Sequence, residues 1–177
     1  MTTVQPHQGG DVLERCAQFV YEEADLLDSM RIEQWLELFD ETAVYWLPID
    51  TTKTNPLDTL NLIYDDRPRL SDRVARLRTG FAFSEVPESR TSHVVSNLRL
   101  ISAPEFLASV HDEGIGEGEV AVVGRGTIAR MRNGDCEVFH ARTAWVLVPA
   151  GDTFKIKMKR VDLLNAAEPL VLLTFLL

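Results

Sequence analysis

Residues 119–164 read EVAVVGRGTIARMRNGDCEVFHARTAWVLVPAGDTFKIKMKRVDLL, three strand-forming runs broken by two turn signals. Asn133-Gly134-Asp135 follows Ile128-Ala129-Arg130-Met131, and Asn-Gly closes a tight hairpin because both residues tolerate positive φ. Pro149-Ala150-Gly151-Asp152 follows Trp145-Val146-Leu147-Val148 and is loop chemistry that closes a second hairpin. An antiparallel three-stranded meander is predicted. In its third strand Phe154, Ile156 and Met158 alternate with Lys155, Lys157 and Lys159, so one face meets a core and the lysine face meets water or a polar partner, a solvated face being the better explanation. Beyond Arg160 the apolar set moves to Val161 and Leu163, a parity flip that requires a bulge near Lys159 and Arg160 or a change of covering layer. The middle strand is apolar on one side through Phe139, Ala141, Trp145 and Leu147. Val146 and Val148 make its far end apolar on both sides, which places that end centrally in a sheet.

Upstream of the meander, Asp11 opens an amphipathic helix that runs to about Asp28. Val12, Cys16, Phe19, Val20, Glu23 and Leu27 recur there at three- and four-residue steps. Ile32, Trp35, Leu36 and Phe39 repeat the spacing in a short second helix that Asp40-Glu41 ends. Val44 to Ile49 reads as a strand whose Pro48 belongs at a sheet edge or a bulge. A loop rich in Thr, Asn and Pro over residues 50–56 precedes a short strand at 60–64. Leu70, Val74 and Leu77 then space a third helix capped by Ser71 or Asp72. Residues 79–89 are irregular, Arg90 to Ile101 has strand composition, and 111–119 is a Gly-rich acidic loop. Helices first and long antiparallel strands afterwards, with no βαβ alternation, predict an α+β fold: a curled sheet with the helices on its concave face.

A chain of 177 residues with 45% hydrophobic content builds one core. Residues 1–10 read as a disordered tail and 11–177 as a single domain. The net charge of −9 argues against a nucleic-acid partner, whose binding rests on phosphate neutralisation by Lys and Arg. Cys16 and Cys136 do not form a disulfide framework, which fits a reducing cytoplasm. The first ten residues have no signal-peptide pattern, and the apolar run 169–177 is too short to span a bilayer.

No Gly-rich phosphate loop follows a strand; Gly124-Arg125-Gly126 lies inside one and reads as close packing. Neither cysteine has a His or Cys neighbour at metal-ligand spacing. His93, His111 and His140 are too scattered for spacing alone to define an iron site. Acid/base chemistry in a sheet pocket would draw on His93 or His140, a carboxylate such as Asp40, and Tyr45 as donor, although no spacing ties them together. Arg90-Thr91-Ser92-His93 reads equally as a loop-to-strand junction and as a subunit contact, where Arg is enriched.

Several stretches together carry a resemblance that covers nearly the whole chain. They are Tyr21 to Asp28, Trp35 to Phe39 with Tyr45-Trp46-Leu47-Pro48, Asp72 to Leu77, Ser89 to Asn97, Val123 to Gly126, and the ending Lys155 to Leu164 with Phe175-Leu176-Leu177. In these the chain resembles the small (β) subunit of the Rieske non-heme-iron aromatic-ring-hydroxylating dioxygenases. Arg90-Thr91-Ser92-His93 with Asn97 is the most specific piece. At Gly126 the family carries a bulkier, often basic residue.

The resemblance implies a cone similar to nuclear transport factor 2 and scytalone dehydratase, with no catalytic residue, cofactor or metal in this chain. It implies a trimer of such subunits supporting three large α subunits, which hold the Rieske 2Fe-2S cluster and the mononuclear iron. Electrons from NADH would reach that assembly through a separate reductase, for dihydroxylation of an arene. The loop 50–56 is similar to relatives acting on aromatic acids such as benzoate. The interface candidates under this resemblance are Arg90, Thr91, Ser92, His93, Arg125, Phe175 and Leu176, and residues 170–177 are expected to pack into the sheet or a neighbouring subunit. Two other readings stand beside it: a stand-alone dehydratase or isomerase with a polar pocket, and a plain self-associating scaffold. A solvent-accessible cone lined by His and Asp would favour the dehydratase, whereas a cone filled by Trp35, Phe39 and Trp145 would count against it.

Overall fold

Asn133 and Gly134 adopt φ of 52° and 90°, and Arg132 faces Asp135 across them. Two consecutive left-handed residues match the twist of the flanking strands, so this turn sets the register of the longest strand pair. The structure, a computed structural model, describes residues 8–78, 89–101, 116–170, 173 and 175–177. The helices and strands among them run α1 (Gln8–Asp28), α2 (Ile32–Glu37), β1 (Phe39–Pro48), β2 (Asn61–Asp66), α3 (Arg67–Arg78), β3 (Arg90–Ile101), β4 (Val120–Arg132), β5 (Asp135–Ala150) and β6 (Thr153–Leu163). One sheet in the order β2-β1-β6-β5-β4-β3 results. β1 pairs parallel to β6 and the other neighbours pair antiparallel, so the α+β sheet is mixed.

Several boundaries differ from the sequence expectation. α1 starts at Gln8, so residues 8–10 of the expected tail have helical backbone, and residues 1–7 lie outside the described residues. Phe39 begins β1 instead of closing α2. α3 starts at Arg67 and not at Ser71. Its Pro68 suits a first helical turn, and Asp66 supplies the cap by accepting from the Arg69 N–H at 2.9 Å. β5 and β6 run closer together than expected: Ala150 pairs with Thr153 across Gly151-Asp152, with Gly151 at φ 64°. Pro48 sits at a register shift between β1 and β2, where its missing N–H costs no ladder bond.

The bulge in β6 lies at Lys157, earlier than the Lys159/Arg160 junction expected from parity. Leu147 faces Ile156 and Val146 faces Met158, leaving Lys157 as the extra residue. This shift reverses the faces of everything after it. Phe154 and Ile156 join the main core under the helices, but Met158 moves to a smaller cluster on the convex face with Trp46, Val123, Ala144 and Val146. Lys159 then turns inward with Val161 and Leu163. The expected solvated lysine face is therefore wrong for Lys159, which is 3% exposed, and Arg160 is fully buried.

A second bulge shapes β3. Ser96 pairs with Arg125 and Arg99 with Val123, so Asn97 and Leu98 together face Gly124, with Asn97 at φ 54°. Leu98 consequently bends over Gly124. A Cβ there would come within 2.8 Å of Leu98 Cδ2 and 3.2 Å of the Ser96 oxygen. Gly124→Ala is expected to cost about 1–3 kcal/mol through that overpacking. Urea denaturation measures it, and an unchanged midpoint would mean that Leu98 yields without loss. At Gly126 a Cβ would meet only Ile128 Cδ1 at 3.9 Å and the Val94 oxygen at 4.0 Å, so a side chain fits on that side of the strand.

Candidate functional site

Glu23 lies on the apolar stripe of α1, between Val20 and Leu27, and is 2% exposed. A carboxylate in that position needs partners, because an unpaired buried charge costs several kcal/mol. It has three. Its Oε1 accepts from Lys159 Nζ at 2.6 Å and Trp35 Nε1 at 3.0 Å, and its Oε2 accepts from Trp145 Nε1 at 2.8 Å. Helix, sheet and the short helix α2 thus converge on one carboxylate. Lys159 also stands over the Trp35 and Tyr45 rings at 5.7 and 5.9 Å.

Beside this pair, Asp28 ends α1 and meets the start of β3. Its Oδ1 accepts from Thr91 Oγ1 at 3.0 Å and pairs with His93 Nδ1 at 2.6 Å, while its Oδ2 accepts from the His93 N–H at 2.8 Å. A carboxylate only accepts, so Nδ1 carries a proton and Nε2 presents a lone pair in the neutral ring. Among the described residues that Nε2 has no hydrogen-bond partner. The His93 side chain is 7% exposed, and burial pushes its pKa below the ordinary histidine value, against the opposing pull of Asp28.

A depressed histidine pKa means that the unfolded chain takes up a proton before the native one does. This contribution is complete above the unfolded value near 6.5 and is lost as pH falls below it toward the folded value. His93→Gln is expected to flatten the stability loss between pH 7.5 and pH 5.5. Denaturation midpoints at those two pH values measure it, and equal pH slopes in variant and parent would refute it.

Tyr45 is fully buried on β1. Its hydroxyl lies 3.1 Å from both the Leu177 nitrogen and the Leu177 oxygen. Burial pushes its phenol well above the ordinary tyrosine range. It therefore anchors the chain's final residues and has no proton to offer a ligand. Asp40, at the start of β1, accepts from the Thr42 N–H and hydroxyl at 2.9 and 2.7 Å, which hold its carboxyl below the usual range. His140 is exposed on the convex face, 3.1 Å from Thr127 Oγ1, whereas His93 points into the cone. The acid/base combination these residues could have formed does not come together. His93's real carboxylate is Asp28, and the partner of the core carboxylate Glu23 is Lys159. The signal for Glu23 was its place on the apolar stripe of α1.

Among the described residues the cone interior is filled by side chains. Trp35 stacks edge-on to Phe39 and Tyr45, with ring centroids 4.6 and 5.8 Å away. The cavity left between His93, Lys159, Trp145 and Leu177 measures about 30 Å³, room for roughly one water and no organic substrate. Among the described residues no three His, Cys, Asp or Glu gather in a way that would hold a metal; His111 lies outside them. Arg90 and Ser92 are exposed at the head of β3, Thr91 and His93 are tied down by Asp28, and Arg125 is exposed on the opposite, convex face. Phe175 and Leu176 are 7% and 4% exposed. Phe175 packs on Phe139 at 5.4 Å beneath the Arg130 guanidinium at 5.0 Å. Both therefore pack into this chain's own core, where the cone's mouth offers them apolar cover.

Known proteins share this fold. Residues 22–167 match the family described as ring hydroxylating beta subunit. The small oxygenase component of the p-cumate 2,3-dioxygenase system of Pseudomonas putida is 34% identical over 153 residues, 85% of this chain and 78% of that one. The crystal structure of the beta subunit of benzoate 1,2-dioxygenase from Burkholderia mallei superposes with a TM-score of 0.69 at 26% identity, covering 99% of this chain and 100% of its own. A scytalone dehydratase-like chain of Novosphingobium aromaticivorans, 12% identical with a TM-score of 0.57 over 86% of this chain and 84% of that one, shares the fold alone. The cone is thus of the kind that nuclear transport factor 2 and scytalone dehydratase exemplify. With a match from residue 22 to residue 167 and a third of positions identical across most of a full-length relative, this chain belongs to the ring hydroxylating beta subunit family.

Proposed function

We propose that this chain is the small subunit of an aromatic-ring-hydroxylating dioxygenase and supports a large α subunit without contributing a catalytic group. The observation that carries this reading is the cone that the described residues fill. Where a dehydratase of this fold would need a pocket, Trp35, Trp145, Tyr45 and Leu177 surround the Glu23–Lys159 pair and leave about 30 Å³. The chemistry would belong to the partner, whose Rieske cluster delivers electrons, ultimately from NADH, to a mononuclear iron at the arene. This chain supplies a rigid body. p-Cumate and benzoate, named in two relatives, are both aromatic carboxylates, which supports an aromatic acid as the substrate of the complex. The reading further includes a trimer of small subunits within an α3β3 hexamer, in the cytoplasm, with Arg90, Ser92 and Arg125 as the exposed contact candidates. No described helix is long and apolar enough to cross a membrane.

The test is to pull the tagged chain from its native host and measure native mass and iron together. An iron-bearing complex with a larger partner is expected. An iron-free assembly of this chain alone would overturn the proposal.

A further inference from the structure

Strand register collects arginines on the convex face. Ser96, Arg125, Arg142 and Asp162 face one another in one row across β3, β4, β5 and β6, and Arg99, Val123, Ala144 and Arg160 form the next. Four guanidinium groups stand in these two rows, where Asp162 is the one carboxylate among the described residues, in a chain whose net charge is −9. Arg160 is buried, stacked on Trp46 at 4.3 Å and bonded to Asp162 at 2.7 Å and the Thr51 oxygen at 2.8 Å. Arg99 and Arg125 reach solvent, and among the described residues no carboxylate pairs with them. The like charges of Arg125, Arg99 and Arg160 add to burial in lowering the Arg142 pKa, the signature of a crowded cationic surface.

The neighbouring row adds apolar relief to the charge. Val94, Thr127 and His140 lie side by side. Val94 is 60% exposed and Leu164, whose N–H bonds to the His140 oxygen, is 82% exposed. A groove of about 440 Å³ runs between Arg125, Thr127, His140, Arg142, Asp162 and Leu164. Arginine is enriched at protein interfaces, and here exposed aliphatic groups lie beside it.

We propose that these arginine rows seat a second copy of this chain, which presents the outer face of its α1. This rests on the self-association in the reading above and assigns its surfaces. The complement is on the same molecule. Asp11, Glu14, Glu22 and Asp25 are exposed along α1 around Tyr21, which is 43% exposed beside a groove of about 570 Å³. Arg15, on the same helix, is turned to the Asp152 oxygen at 3.3 Å and to the Phe154 ring at 5.2 Å, which leaves the carboxylates dominant. Two copies carrying −9 each repel as they approach, so a copy-to-copy contact needs a local cationic seat of this kind. Because the two surfaces differ, the contact is head-to-tail, and it closes into a ring if the rotation permits.

The experiment is a charge swap on the full chain, alone and co-expressed with its large subunit, read by native mass with circular dichroism as the folding control. R99E/R125E is expected to weaken self-association by roughly tenfold or more, E22R/D25R to do the same, and the fourfold variant to recover assembly. Parental mass in R99E/R125E would overturn the proposal. So would two dissociating variants whose combination stays dissociated, since the partner of the arginines would then lie elsewhere than α1. Loss of the large subunit with self-association intact would instead assign the seat to that subunit and overturn it likewise. A parental chain that is monomeric both alone and in its iron-bearing complex would refute the self-association reading itself, while leaving the role as small subunit standing.

Discussion

Glu23→Ala is expected to lower unfolding free energy by about 3–5 kcal/mol, the usual cost of breaking a buried ion pair on one side. The substitution strips Lys159 Nζ of its carboxylate while leaving it 3% exposed. It also orphans the Trp35 and Trp145 indole N–H groups, each of which donates to Glu23. Lys159→Met should cost less, because the remaining carboxylate keeps both indole donors. Combining Glu23→Gln with Lys159→Met removes both charges and retains an acceptor for the tryptophans, so it should recover much of the loss. Urea denaturation of the three variants decides the matter. A Glu23→Ala protein as stable as its parent would mean that the pair contributes nothing net. Against total stabilities of about 5–15 kcal/mol, the predicted loss is a large share of what holds the fold.

Deleting residues 175–177 is expected to cost about 5 kcal/mol or more and to abolish recovery of the complex with the large subunit. Phe175, Leu176 and Leu177 are all buried, and truncating one core Phe or Leu alone costs about 2–5 kcal/mol. The deletion also removes both partners of the Tyr45 hydroxyl, deep in the core. The effect arises within one chain, so the isolated subunit should already melt at a lower temperature. Thermal melting of the isolated chain and native mass of the co-expressed complex measure the two halves. A parental melting temperature with loss of the complex would return these residues to a subunit interface, and parental behaviour in both would refute their role altogether.

Much of the architecture was readable from short stretches of chain. Asn133-Gly134 announced the β4–β5 turn because positive φ is a property of those two residues and of no distant contact. The apolar stripe of α1 marked its buried face, Glu23 included, and the two-sided apolar end of β5 marked the place where convex and concave clusters both form. Of the two glycines read as close packing, Gly124 is one, approached by Leu98, whereas Gly126 has room for a side chain.

The polar centre was not readable in the same way. Alternation in β6 assigned Lys159 to solvent, and one extra residue at Lys157 reversed that assignment. A bulge is placed by the pairing of two strands, so its position is not written in either strand alone. Glu23 and Lys159 are 136 positions apart, and Asp28 and His93 are 65 apart.

The sequence by itself determined the turns, the helix stripes, the α+β order and the family resemblance, since each rests on residues within a few positions or on a motif read in line. Only the tertiary structure decided which charges are buried, which histidine faces inward, that four arginines share the convex face, and that the final residues plug the cone. Those follow from strand register and closure of the sheet, where one residue of slip exchanges core for solvent along the whole strand.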